Sequence, residues 1–229
     1  MKTWLAIDTA TEACSVALAC GDRLWEDSRI AAPNQHGQLL LPMIHGVLGQ
    51  GGLSLEEVDA IACGIGPGGF TAVRLGISTA QGLAQALDRP VFPVSSLQAL
   101  AAGDPQPATL VAVDARRSEV YAAAFYRDGD GIPQLLGQER VSRPEDLAWP
   151  PPLPAGAGSW AGTGSGWDLY ASFWQGGSPP IAWVAGRYPL AREVLSLARY
   201  RWWARKDQGI SPEAMEPHYI RPSQAEEKR

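Results

Sequence analysis

The sequence LAIDTATE at residues 5–12 decides the predicted fold, because it reads as an apolar strand that ends in a carboxylate and a polar turn. Residues 14–20 (CSVALAC) follow as an alternating second strand. The same order returns in residues 110–114 (LVAVD), which precede an alternating strand at 119–125 (EVYAAAF). A single match of this kind is common, but here one begins each half of the chain. The sequence therefore predicts two similar α/β halves that face each other across a cleft.

The predicted halves meet in the segment 101–107, which contains one glycine and two prolines. We expect an N-terminal lobe over residues 1–104, a C-terminal lobe over 105–215 and a C-terminal tail over 216–229. Apolar periodicity predicts helices at about 36–48 and 70–87 in the first lobe and at about 190–205 in the second.

The composition excludes several classes of protein. The 229 residues include 19 Lys and Arg against 24 Asp and Glu, a formal net charge of −5, which disfavours strong autonomous binding to nucleic acid. The three cysteines lie in hydrophobic stretches, so we expect free thiols in a reducing compartment. No apolar run approaches the length of a membrane span, and Asp8 interrupts any signal-peptide core. A cytoplasmic protein without a membrane partner is predicted.

The candidate ligand-binding residues are Asp8 and Asp114, each at the carboxyl end of a predicted strand, with Thr9 and Thr11 beside the first. These residues could form a pair of phosphate loops that grip a nucleotide. Alternatively, Asp8 caps its own turn through local hydrogen bonds. The glycine-rich loop at residues 64–71 matches no phosphate-binding motif, so we expect it to bring a helix close to the sheet.

No catalytic residue and no metal site is predicted, since His36 and His45 lie nine residues apart and no HExxH motif occurs. The two predicted helices of the first lobe are instead apolar on more than one side, which indicates either an internal core or a surface covered by a partner. The residues expected at such a partner interface are His36, Leu39, Leu40, Met43, Ile44, Val47, Phe70, Ala72, Leu75, Gly76, Thr79 and Leu83.

Several motifs together resemble the TsaB (YeaZ) family. They lie in the family's order at residues 6–18, 36–42, 66–76, 94–97, 114–121 and 217–221. The chain departs from the family's usual Ser and Gly at Gly69 and Ala72, which bears on the geometry of partner contacts.

The resemblance implies an α/β fold of the actin/Hsp70-like (ASKHA) type, with two lobes made of duplicated ribonuclease-H-like domains. It implies a non-catalytic partner of TsaD in threonylcarbamoylation of the adenosine beside the anticodon of tRNA. TsaE would join the complex, no cofactor is assigned to this chain itself, ATP or ADP could bind at the level of the complex, and tRNA would be met indirectly. The isolated chain would form a homodimer. The family's older glycoprotease label finds no support in the sequence.

Two rival functions remain open. The first is a nucleotide-dependent phosphotransferase on the same actin-like fold, which requires Asp8 and Asp114 to face one nucleotide. The second is direct binding of tRNA through the basic, aromatic segment Arg199–Lys206, which combines phosphate contacts with stacking. The same segment also suits a helix C-terminus that complements the helix dipole and packs its tryptophans on the core.

Overall fold

The computed structural model describes residues 2–32, 35–147, 149, 151–153, 158–175 and 181–221. Its chain divides into two compact units. Unit 1 comprises Met1–Ala99 and Tyr188–Pro217, and unit 2 comprises Leu100–Arg187 and His218–Arg229. Among the described residues, no helix combines the length and the apolar character that crossing a membrane requires.

Unit 1 is built on a five-stranded sheet with the order β3-β2-β1-β4-β5. Strands β1 to β3 form an antiparallel meander, while β4 and β5 run parallel to β1. The strands are β1 (Thr3–Asp8), β2 (Ala13–Cys20), β3 (Arg23–Ile30), β4 (Ala60–Gly64) and β5 (Val91–Val94). The helices are α1 (His36–Gly51), α2 (Phe70–Leu87) and α3 (Ser96–Ala102), the last of which runs on into unit 2.

Unit 2 repeats this topology. Its strands are β6 (Ala108–Arg116), β7 (Glu119–Arg127), β8 (Pro133–Ser142), β9 (Trp160–Thr163) and β10 (Ala182–Val184), and its helix is α4 (Ser165–Tyr170). The order β10-β9-β6-β7-β8 again places an antiparallel meander beside two parallel strands. Each unit thus has the strand order of a ribonuclease-H-like domain, and the predicted actin/Hsp70-like α/β fold is confirmed.

Both faces of the unit 1 sheet are covered. Leu5 and Ile7 of β1 share a buried cluster with residues of α1 and α2. Because side chains alternate along a strand, Trp4 lies on the opposite face, where its ring contacts that of Trp202 at 5.9 Å between centroids. Trp202 belongs to α5 (Ala191–Ala204), which contacts strands β1, β2, β4 and β5.

The position of α5 differs from the expected lobe boundaries. The sequence assigned residues 105–215 to the second lobe, but the segment Tyr188–Pro217 belongs to unit 1. The physical reason is the apolar face of α5, which includes Val194, Leu195 and Ala198 and is buried within unit 1. Position along the chain cannot reveal which of two similar sheets a helix covers.

Candidate functional site

Asp8 ends β1 and is fully buried. Its Oδ1 accepts a hydrogen bond from the Ala10 amide at 2.9 Å, and its Oδ2 accepts one from the Ser96 hydroxyl at 2.8 Å. Burial raises the pKa of this carboxyl group from 3.8 to about 6, against the lowering effect of both hydrogen bonds. Of the two alternatives for Asp8, this geometry favours the one in which it caps its own turn.

The two threonines beside Asp8 also direct their hydroxyl groups into unit 1. Thr9 is fully buried, and its Oγ1 donates a hydrogen bond to the Ala72 carbonyl at 2.6 Å. The Thr11 hydroxyl accepts a hydrogen bond from the Ala13 amide at 3.3 Å, and the Thr11 carbonyl lies 2.9 Å from Nε2 of His36. In this conformation, the turn after β1 uses these groups to hold α1 and α2.

The glycine-rich loop before α2 packs directly on this turn. The Gly69 amide donates a hydrogen bond to the Ala10 carbonyl at 2.8 Å, and a Cβ on Gly68 would lie only 2.1 Å from the same oxygen. A Cβ on Gly76 would lie 2.5 Å from Oγ1 of Thr9. These close approaches confirm the packing role that the sequence predicted for the loop, because the backbone of the loop occupies the space beside the turn.

Asp114 lies near the end of β6 in unit 2. Its Oδ1 accepts a hydrogen bond from the Arg116 amide at 3.0 Å, and its Oδ2 lies 3.1 Å from Nη1 of the same arginine. Its own amide donates to the Ser165 hydroxyl at 3.1 Å. Residues Arg116, Arg117 and Ser118 all have left-handed backbone, with φ of 61°, 56° and 58°. Asp8 and Asp114 belong to different units, and a nucleotide held by both stays a prediction.

The described part of the chain contains no group of three or more His, Cys, Asp and Glu side chains that could hold a metal ion. Two of the three thiols are also poorly suited to nucleophilic chemistry. Cys14 and Cys63 are buried in the core of unit 1, where burial raises the pKa of Cys14 to about 11 and that of Cys63 further still. Both thiols stay protonated at neutral pH.

The predicted partner-facing residues separate into two groups. Leu40, Met43, Ile44, Val47 and Gly76 are buried within unit 1 and cannot contact a partner in this conformation. That part of the predicted interface is therefore wrong. The reason is the composition of α1, whose apolar residues occur on nearly every side, so the sequence pattern could not show which side faces the sheet.

The other predicted residues keep part of their surface exposed. Ala72, Leu75, Thr79 and Leu83 recur at helical spacing along α2 and form a partly exposed stripe, here called the α2 outer stripe. Leu75 and Leu83 also pack against the core of unit 1. At the start of the same helix, Phe70 is 53% exposed and stacks under the Arg74 guanidinium at 3.7 Å. Of the predicted residues on α1, His36 and Leu39 are partly exposed.

Sequence reasoning missed Leu41, which is 57% exposed on α1. Its neighbour Leu40 is buried, and one step along a helix rotates the side chain by about 100°, so the two point in different directions. The polar or small residues Gln38, His45 and Gly49, at helical spacing from Leu41, are exposed as well. This spacing could have identified the outer side of the helix.

Comparison with known proteins gives consistent matches. The family model for TsaD, described as tRNA N6-adenosine threonylcarbamoyltransferase, matches residues 30–161. The tRNA threonylcarbamoyladenosine biosynthesis protein TsaB of Escherichia coli is 36% identical over 226 residues, which cover 95% of this chain and 94% of that protein.

Two solved structures are similar over 96% of this chain and their own full length, each at 41% identity. YeaZ from Pseudomonas aeruginosa superposes with a TM-score of 0.84. A structure described as an uncharacterized protein with similarity to peptidase YEAZ from Pseudomonas aeruginosa superposes with a TM-score of 0.85.

Proposed function

The chain belongs to the TsaB (YeaZ) family, and on that premise we propose that it is a non-catalytic subunit that binds TsaD. In this role it supports threonylcarbamoylation of the adenosine beside the anticodon of tRNA. The name of the Escherichia coli relative supports a part in tRNA threonylcarbamoyladenosine biosynthesis. The burial of Asp8 and Thr9 further supports a binding role over phosphotransfer, since neither side chain reaches a surface where a nucleotide could meet it.

The observation that carries the proposal is the α2 outer stripe together with exposed Phe70 and Leu41. Phe70 and Leu41 are large apolar side chains with more than half of their surface exposed, and apolar surface of this kind on neighbouring helices supports an interaction surface. The TsaD family model matches residues 30–161, a range that includes α1 and α2. TsaD would therefore present helices similar to these, and like helices can pair about an approximate two-fold axis.

The same reasoning supports self-association of the isolated chain. A surface that fits a related set of helices also fits a second copy of itself, and in a two-fold dimer each copy uses the same patch. We expect a homodimer when TsaD is absent and a heterodimer when it is present. The Ala72 methyl group belongs to the α2 outer stripe, so its difference from the family's usual glycine falls within the proposed interface.

The remaining partners follow from the family and stay predictions. TsaE would join the TsaD complex, and ATP or ADP would bind at the level of that complex. A cytoplasmic location is supported by the tRNA chemistry named for the relatives.

Leu75→Glu tests the proposed interface. Leu75 is partly exposed and also packs against the core of unit 1. A glutamate there therefore costs some stability, but its charge can reach water in the free chain and would be buried on binding. Burial of an unpaired charge costs several kcal/mol, roughly, and we expect co-purification with TsaD to be lost. The matched control is Ser196→Glu, which adds the same charge at an exposed position of α5.

Ser196→Glu should keep the unfolding midpoint of the parent chain within a few degrees, and Leu75→Glu should unfold earlier but still be folded at the temperature of the binding assay, which its own thermal unfolding curve checks. Retention of TsaD by Leu75→Glu would show that the interface lies elsewhere. Leu40→Glu is unsuitable for this test, because Leu40 is 1% exposed and a charge there would unfold unit 1 whatever its partner.

A further inference from the structure

Several basic side chains from the strands and from α5 lie at one end of the unit 1 sheet. In the register of the sheet, Thr3 pairs with Cys20 and Cys20 pairs with Arg23, so Lys2 and Arg23 lie at the same sheet end. The Arg199 guanidinium donates a hydrogen bond to the Gly21 carbonyl at 3.0 Å, which fixes the last turns of α5 against the β2–β3 turn.

Arg205 and Lys206 follow directly after α5 and are exposed. The resulting basic surface comprises Lys2, Arg23, Arg199, Trp203, Arg205 and Lys206. Two acids near the other end of α5, Glu26 and Glu193, are both paired with Arg192 in its first turn.

The charge of this surface is not neutralised within the chain. Lys2, Arg23, Arg199, Arg205 and Lys206 form no salt bridge with any residue that the structure describes. Three acids lie near this surface. Asp207 is paired with Arg201 at 2.9 Å, and the Asp59 carboxylate accepts a hydrogen bond from the Thr3 amide at 2.8 Å, next to Lys2. Asp22 in the β2–β3 turn is exposed. A protein with a net charge of −5 thus concentrates five cations in one place.

The two adjacent tryptophans of α5 have different environments. Trp202 packs its ring edge against Trp4 in the core and carries the Lys2 ammonium group 4.9 Å from its centroid. Trp203 is 69% exposed, the largest exposed fraction among the big hydrophobic side chains that the structure describes. Packing on the core therefore explains Trp202 but not Trp203, which lies one helical turn after Arg199.

We propose that this basic surface binds RNA, with the cations on phosphates and Trp203 stacked on an unpaired base. An aromatic face among several cations is typical of surfaces that bind single-stranded nucleic acid, because stacking and phosphate neutralisation act together. The inference rests on the proposed function for the identity of the RNA, which is the unmodified tRNA bound by the complex with TsaD. The chain would then touch this tRNA directly, in addition to supporting TsaD.

The test uses the assembled complex of the full chain with TsaD and measures binding of fluorescently labelled, unmodified tRNA by anisotropy at several salt concentrations. In Arg205→Glu/Lys206→Glu, two phosphate contacts are lost. We expect at least roughly tenfold weaker binding and a log–log salt slope reduced by about two. Trp203→Ala should weaken binding by roughly five- to fiftyfold with an unchanged salt slope, because stacking releases no counterions.

The matched control is Arg140→Glu/Arg143→Glu, which makes the same change in net charge at two exposed arginines of unit 2. Its tRNA affinity should stay within about twofold of the parent complex. Equal losses in the control and in Arg205→Glu/Lys206→Glu would show a general charge effect and overturn the proposal. Unchanged tRNA binding by Trp203→Ala and by Arg205→Glu/Lys206→Glu would overturn it as well.

Assembly is measured on the same samples by native mass spectrometry. We expect both surface variants to retain TsaD. Loss of TsaD from them would identify the surface as a protein interface and overturn the RNA proposal. Failure of the proposed function gives a different result, because then the parent chain itself would not assemble with TsaD.

Discussion

The Ser96 hydroxyl donates a hydrogen bond to Oδ2 of Asp8 at 2.8 Å, across 88 residues of sequence, and joins the end of β1 to the start of α3. A Cβ on Gly64 would lie 1.8 Å from the same carboxylate oxygen, so the absence of a side chain on β4 makes room for this contact. The Ser96 hydroxyl also accepts a hydrogen bond from the Gly66 amide at 3.3 Å. The carboxylate thereby ties three segments of unit 1 together at one point.

The raised pKa of Asp8 predicts a specific dependence of stability on pH. The pKa of Asp8 is about 6 in the folded chain and 3.8 in the unfolded chain. The folded state therefore binds the proton more tightly, and the contribution of Asp8 to the free energy of unfolding is complete below pH 3.8. It is lost as the pH rises through this window, by about 3 kcal/mol in total. Asp8→Asn cannot ionise, so its unfolding free energy should fall less between pH 4 and 7.

Urea denaturation of both proteins across this range measures the difference. Glu193 is also largely buried with a raised pKa, and it contributes a slope of the same sign to both curves. The control is Glu213→Gln, which removes an exposed carboxylate. Its free energy of unfolding should change with pH as that of the parent chain does. Parallel curves for the parent and Asp8→Asn would mean that Asp8 titrates alike in the folded and unfolded chains.

Replacement of a helical glycine by alanine should lower the free energy of unfolding at one position and raise it at another. Gly76→Ala places a Cβ 2.5 Å from Oγ1 of Thr9, and we expect a loss of about 1–3 kcal/mol of unfolding free energy through overpacking. Gly46→Ala in α1 meets no atom within 4 Å and should gain about 0.5–1 kcal/mol from lower chain entropy in the unfolded state. Chemical denaturation measures both; a gain in Gly76→Ala would contradict the close packing of α2 on the turn after β1.

Gly69→Ser should stabilise the chain. Gly69 is the N-cap of α2, has extended backbone with φ −63° and ψ 123°, and supplies no side-chain hydrogen bond to the helix. A Cβ there would contact Ala72 and Ala10 only at 3.7 and 3.8 Å, which are ordinary packing distances. Serine is a preferred N-cap residue, so we expect a gain of about 0.5 kcal/mol. A thermal midpoint below that of the parent chain would contradict this expectation.

The C-terminal segment of unit 2, described over residues 218–221, should detach from the rest of that unit as the pH rises. Nε2 of His218 lies 2.9 Å from Oε2 of Glu139, and this hydrogen bond raises the pKa of the imidazole above its ordinary 6.5. The protonated pair contributes fully below pH 6.5 and is lost as the pH rises through the higher folded value. Chymotryptic cleavage at Tyr219, which is 48% exposed, reports on the attachment.

At pH 6 the parent chain should be cleaved there more slowly than Glu139→Gln, and at pH 8.5 the two rates should converge. Comparison at each pH removes the pH dependence of the protease itself. A protection that persists at pH 8.5 would show that other contacts, such as those of Arg221 with Glu119 and the Ala115 carbonyl, hold the segment.

Periodicity was sufficient to predict most elements, because local pattern determines where a helix or strand can form. The predicted helix at 70–87 coincides with α2, and the predicted helix at 36–48 extends to Gly51 as α1. The side of each helix that faces the sheet was harder to predict. Leu40 and Leu41 are equally apolar, and only the packing of α1 on the sheet shows that one is buried and the other exposed.

Contacts between distant parts of the sequence were beyond prediction. The segment Arg199–Lys206 could be recognised as basic and aromatic, but its union with Lys2 and Arg23 depends on sheet register and on the Arg199 contact with Gly21. The roles of Gly64 and Gly68 likewise depend on which atoms approach them, Asp8 in one case and Ala10 in the other.

The return of α5 to unit 1 has a consequence for synthesis on the ribosome. Strands β1 to β5 emerge first, yet the sheet face that carries Trp4 and Phe92 stays uncovered until α5 has been translated. Unit 2 is continuous from residue 100 to 187 and needs only its C-terminal segment to be complete. The second unit in the sequence can therefore close before the first, and the nascent chain exposes an apolar sheet face of the kind that chaperones bind.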